Sequence, residues 1–64
     1  MNFNETLDSL EENMNFDYVE SEGASTVRFD LGDNSFWVHE SGEIENLNTF
    51  PQALQKKVLS LIKS

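Results

Sequence analysis

A single histidine, twelve carboxylate side chains, one tryptophan and no cysteine are the chemical material of this 64-residue chain. His39 stands beside Glu40, and an imidazole with a carboxylate neighbour can serve as a general base. Consecutive strand residues point to opposite faces, however, so in a strand "SFWVHE" the two do not face each other. No glycine-rich phosphate loop accompanies them, and so short a chain does not enclose a substrate pocket of ~300–1,000 Å³. No catalytic residue is assigned, and the chain reads as a non-enzyme. The oxygen-rich stretches "DLGDNS" and "ESGEIEN" raise calcium as a ligand. Neither has the D-x-[DN]-x-[DN]-G spacing with a glutamate at position twelve that an EF-hand loop needs. Turn formation accounts for Gly32, Asp33, Asn34, Ser41 and Gly42. Without cysteine there is no disulfide and no zinc ligand set, so no metal and no cofactor is expected.

What remains is charge and its placement. The net charge is −8, yet residues 1–48 set one base, Arg28, against all twelve acids, which gives −11. Residues 49–64 carry Lys56, Lys57 and Lys63 and no acid, which gives +3. Such a surface repels nucleic acid and anionic lipid and attracts basic surfaces with fast, salt-sensitive association. The same acids also keep a small domain soluble. Glu5, Asp8, Glu11 and Glu12 crowd the first fourteen residues, and Asp17, Glu20 and Glu22 follow. Neighbouring strands lie ~4.8 Å apart and residues on one face of a strand repeat every ~6.7 Å. DNA carries two charges per ~3.4 Å of duplex axis. A folded rim of carboxylates can therefore imitate a phosphate track and enter a DNA-binding channel.

The elements that must position these groups are short. The spacing of Leu7, Leu10 and Met14 predicts a helix over residues 4–14, with Asn4 as N-cap and Phe3 as a staple outside it. Alternation predicts strands over 15–21, 25–31, 35–40 and, shortest, 43–47, with turns at Gly23, "GDN" and "SGE". Connections this tight favour an antiparallel meander. A last helix begins at Thr49 as N-cap with Pro51 in its first turn; Leu54, Val58, Leu61 and Ile62 form its apolar face and Leu59 the edge. The expected fold is one α+β domain over residues 1–64: N-terminal helix, three- or four-stranded antiparallel meander, C-terminal helix packed on the sheet. Val27, Phe29 and Leu31 face inward. If Phe36 and Val38 do too, Ser35, Trp37 and His39 face out, and then either the first helix covers Trp37 or Trp37 is an interface anchor. The alternative register exposes Phe36 instead. A chain this small draws its stability from well-packed aromatics or from self-association, as monomer or homodimer.

The N-terminus has no basic n-region or apolar h-region, and no apolar run reaches the ~20 residues of a membrane span. The expectation is a cytoplasmic protein with no membrane and no nucleic acid among its partners. At class level the chain resembles small acidic bacteriophage proteins that inhibit host nucleic-acid enzymes by DNA mimicry, nearest in outline to the inhibitors of uracil-DNA glycosylase. That family carries a Glu-Ser-(aliphatic) motif on an edge strand after the N-terminal helical region. Here Val19-Glu20-Ser21-Glu22 falls at the matching place, with Glu22 where the family has an aliphatic residue, and Glu40-Ser41 is a second candidate. The resemblance implies a cytoplasmic inhibitor in a host bacterium. Glu20, Ser21, Glu22, Asp17, Trp37 and Glu40 would meet the enzyme's basic DNA-binding elements. Phe29, Phe36, Leu54 and Val58 would line a pocket for its protruding apolar residue. CRISPR effectors, restriction enzymes and transcription factors are alternative targets. An adaptor that docks "PQALQKKVLSLIKS" in a partner's groove is the reading from another class.

Overall fold

The computed structural model describes residues 2–63; Met1, Ser64 and the Lys63 side chain lie outside what it describes. The first helix, α1, spans Phe3–Asn13 and starts earlier than the spacing predicts, because Asn2 and not Asn4 is the N-cap. Asn2 Oδ1 accepts from the Glu5 amide at 2.8 Å, and Glu5 Oε1 accepts from the Asn2 amide at 3.1 Å. This reciprocal box requires a glutamate three residues after the cap, and only Asn2 has one. Phe3 is consequently the first helical residue, packed against the core, and not a staple outside the cap. Met14 closes the helix with extended backbone and buries its side chain.

Four strands follow: β1 (Tyr18–Ser21), β2 (Thr26–Leu31), β3 (Asn34–His39) and β4 (Ile44–Glu45). They pair antiparallel in chain order, so the sheet is a four-stranded meander. β1 is shorter than expected because residues 15–17 form a connector, from which Phe16 reaches under the sheet to lie 4.8 Å from Phe29. The β2–β3 turn is the pair Gly32-Asp33, not three residues, so Asn34 already pairs with Leu31. Gly32 takes φ +64°, the positive value that a two-residue hairpin turn asks of its first position. β4 stops after two residues because Asn46 adopts the left-handed conformation and Leu47–Thr49 coil into a 3-10 turn. The second helix, α2, covers Gln52–Lys63. Its first carbonyl acceptor is Pro51, which receives the Leu54 and Gln55 amides at 3.0 Å each. Thr49 does not cap it; its hydroxyl donates to the Asn46 carbonyl instead.

Both helices pack on one face of the sheet. Phe29 and Phe36 sit opposite each other on β2 and β3, stacked at 5.2 Å and completely buried. Val27, Val38, Leu10, Met14, Leu47, Phe50 and Val58 complete the core around them. The register with Phe36 inward and Trp37 outward is therefore the one adopted, and no described helix is long and apolar enough to cross a membrane.

Candidate functional site

Among the described residues no helix lies over the other face of the sheet. Register places Tyr18 and Glu20 of β1, Thr26, Arg28 and Asp30 of β2, Ser35, Trp37 and His39 of β3 and Glu45 of β4 on this outer face. Arg28 lies near its middle and holds three carboxylates. Its Nη1 is 2.8 Å from Glu22, its Nε 3.1 Å from Asp30 and its Nη2 3.4 Å from Glu20. The Tyr18 ring flanks the guanidinium at 5.9 Å. Burial on its own would lower the Arg28 pKa; the charges of Asp30, Glu22 and Glu20 outweigh it and hold the group above its ordinary value. The one cation of residues 1–48 is thus committed internally, and it draws three acids into a fixed array.

Trp37 faces outward, but α1 does not cover it, since α1 lies on the opposite face. Its cover is polar. The indole Nε1 donates to Glu22 Oε1 at 2.8 Å, and Arg28 and Glu45 flank it across the strands. Glu22 therefore ties the β1–β2 turn over the sheet, one oxygen on Trp37 and the other on Arg28. His39 pairs with Glu45 and not with Glu40: Nε2 is 3.0 Å from Glu45 Oε1, and Nδ1 is 2.9 Å from the Thr26 hydroxyl. The pairing of His39 with Thr26 and Glu45 is not legible in residue types alone; the signal for Thr26 is cross-strand register, which follows once the two-residue turn is known. Among the described residues no cluster of three or more histidine, aspartate or glutamate side chains is placed to hold a metal.

The other expected partner-binding residues divide. Asp17 accepts the Gly32 amide at 2.8 Å and so pins the end of β1 to the β2–β3 turn. Glu20 points to the outer face and takes Arg28 and the Tyr18 hydroxyl, whereas Ser21, opposite Val27, is on the inner side. Adjacent strand residues cannot share a face, so Glu20-Ser21 is not a motif on one face. Glu40 stands at the far end, on the β3–β4 turn, exposed. The expected pocket is absent where it was placed: Phe29, Phe36 and Val58 are fully buried core, and Leu54 is half-buried beside them. Packing the aromatic stack closed is what leaves no opening there. A cleft of about 110 Å³ lies elsewhere, between Phe3 and Thr6 of α1, Val38 and Ile44 of the sheet and Ile62 of α2, with Glu40 at its rim. The apolar face of α2 is likewise spent on its own core, which leaves Leu59 as its exposed large apolar residue.

No protein-family model, no curated protein and no solved structure matches the chain.

Proposed function

We propose that the protein is a non-enzymatic acidic decoy that occupies the basic nucleic-acid site of a host protein in the cytoplasm of a bacterium. Uracil-DNA glycosylase is the most specific target to name, on the class-level resemblance alone, since neither the Glu20-Ser21 pair nor the apolar pocket takes the form that the resemblance implies. CRISPR effectors, restriction enzymes and transcription factors are the wider class. The observation that carries this reading is the disposition of charge. Eleven of the twelve acids are exposed, and the single base among residues 1–48 is bound by three of them. A DNA duplex as long as the molecule's 26 Å axis carries ~15 phosphate charges, so the carboxylates are of the same order. The outer sheet face adds fixed geometry, because Arg28 and Trp37 hold Glu20, Glu22 and Asp30 in place. The adaptor reading draws less support, since the apolar face of α2 is already covered.

The test is inhibition of uracil-DNA glycosylase on uracil-containing DNA by added protein. The expected outcome is competition with DNA, weakening steeply between low and ~0.2 M salt, because oppositely charged surfaces are screened beyond ~10 Å. Inhibition that is flat across this range speaks for an apolar interface. Absence of inhibition removes glycosylase as the target. Failure to displace any basic DNA-binding protein from DNA removes the decoy reading altogether.

A further inference from the structure

The sheet ends differently at its two edges. β4 offers Ile44 and Glu45 before Asn46 turns the chain away, and the 3-10 turn then packs on β3. β1 offers four residues, Tyr18–Ser21, that pair with β2 on one side and with no described strand on the other. The register decides which backbone groups are left over. The Glu22 amide donates to the Thr26 carbonyl at 2.8 Å. In an antiparallel ladder the bonded pairs alternate, so Glu20 and Tyr18 turn their N–H and C=O groups towards Arg28 and Asp30. Val19 and Ser21 turn theirs outward. The edge presents two donors and two acceptors in line, and the strand has neither proline nor lysine to blunt it.

The surroundings state what would pair with this edge. Glu20 lies on the outer side of it, with Asp17 and Glu22 at its two ends. On the inner side is an open notch of about 210 Å³ where Met14, Phe16 and Val19 supply apolar wall and Glu11 and Asn15 the rim. A second copy of the strand "YVES" brings no base and sets glutamate against glutamate, and like charges across a strand pair destabilise it. A basic strand meets opposite charge on both sides. We propose that β1 accepts an extended segment of a basic protein as a fifth strand. The segment's backbone pairs with Val19 and Ser21, its basic side chains lie beside Glu20, and an alternate apolar side chain sits in the notch. This goes beyond the decoy reading, which asks for surface charge and no main-chain pairing.

The test uses the whole isotope-labelled protein and the end-blocked peptide Lys-Val-Lys-Val-Lys-Val, so it is independent of any glycosylase. The amide resonances of Val19 and Ser21 should shift on binding and exchange more slowly with solvent. N-methylation of the peptide amides that face β1, at unchanged charge, should weaken binding by about tenfold or more. The glutamate counterpart, Glu-Val-Glu-Val-Glu-Val, should not bind. Equal binding by the N-methylated peptide overturns the proposal, because charge alone then suffices; so do shifts that bypass Val19 and Ser21. Concentration-dependent protection of those two amides in the free protein overturns it as well, since a second copy then holds the edge.

Discussion

The two faces of the β2–β3 hairpin are built from the same backbone on opposite terms. On the inner face Val27, Phe29, Phe36 and Val38 are buried and meet one another through dispersion and the removal of apolar surface from water. Such contacts ask for volume and tolerate exchange of one apolar residue for another of similar size. On the outer face, at alternate positions of the same strands, Arg28 meets Trp37, Asp30 meets Ser35 and Thr26 meets His39. Here each group has a named partner: Ser35 donates to Asp30 at 2.6 Å, Trp37 to Glu22 at 2.8 Å. The inner face fixes the fold with interchangeable parts. The outer face fixes the positions of charges with parts that are not interchangeable.

Breaking the inner face should cost most. Phe36→Ala removes a completely buried ring that lies against Phe16, Phe29 and Phe50, a loss of ~3–5 kcal/mol. At ~0.05–0.15 kcal/mol per residue a chain of this length has total stability of roughly 3–10 kcal/mol, so a urea melt followed by circular dichroism should find little folded protein. A near-parental melt would mean that the core does not depend on this stack.

Arg28→Met keeps much of the stem and removes the charge, which leaves Glu20, Glu22 and Asp30 gathered without their cation. The loss should be smaller than for Phe36→Ala and should behave differently. In ~1 M salt, where the Debye length is ~3 Å, the gap to the parent should close for Arg28→Met and persist for Phe36→Ala. The pH dependence has a definite sign. Arg28 is a base whose pKa is raised on folding, so its contribution is fully present below its unfolded value and lost only as pH rises through the raised one. That window lies in strongly alkaline solution; between about pH 6 and 9 its own titration should add no slope to stability.

The mildest change is Ser35→Ala. It deletes the 2.6 Å hydrogen bond to Asp30, but Asp30 keeps Arg28 Nε. A net loss of ~0.5–1.5 kcal/mol follows, a fall in melting temperature of a few degrees up to about ten. If Ser35→Ala matched Phe36→Ala, the two faces would not differ in the way described.

How far the sequence reveals this molecule follows the same division. Alternation over residues 26–31 and 34–38 reads out the inner face, because burial of every second residue leaves a period-two trace in the chain. The helical stripe of Leu7, Leu10 and Met14 does the same for α1. What alternation does not carry is pairing among polar side chains. That Glu22 bridges Arg28 and Trp37, that Asp17 caps the Gly32 turn, and that His39 takes Glu45 in place of its neighbour Glu40 all depend on register and turn length. The two-residue turn at Gly32-Asp33 sets the hairpin register one position differently at its end from a three-residue one. The start of α1 is hidden for a related reason: Asn2 and Asn4 are equal as cap residues, and the choice falls to Glu5 three positions beyond Asn2. Nor does spacing tell that Phe29, Phe36 and Val58 fill the core instead of lining a pocket, because apolar residues at strand and helix spacing look alike in either case.

The order of the strands has a consequence for how the chain reaches this state. Each strand pairs with the one beside it in sequence, so no pairing waits for a distant segment. Closing the β2–β3 loop spans two residues, and the entropy of closure grows with loop length. The contact between α1 and α2, which joins the two ends of the chain, can follow once the sheet exists. A topology of mainly local pairings belongs among the faster folders, since rate falls as the mean sequence separation of contacts rises. The shorter the time that the phenylalanine stack and the unpaired backbone of β1 stand open together, the less chance a stray strand has to add to them, and the edge is left for the finished fold to offer.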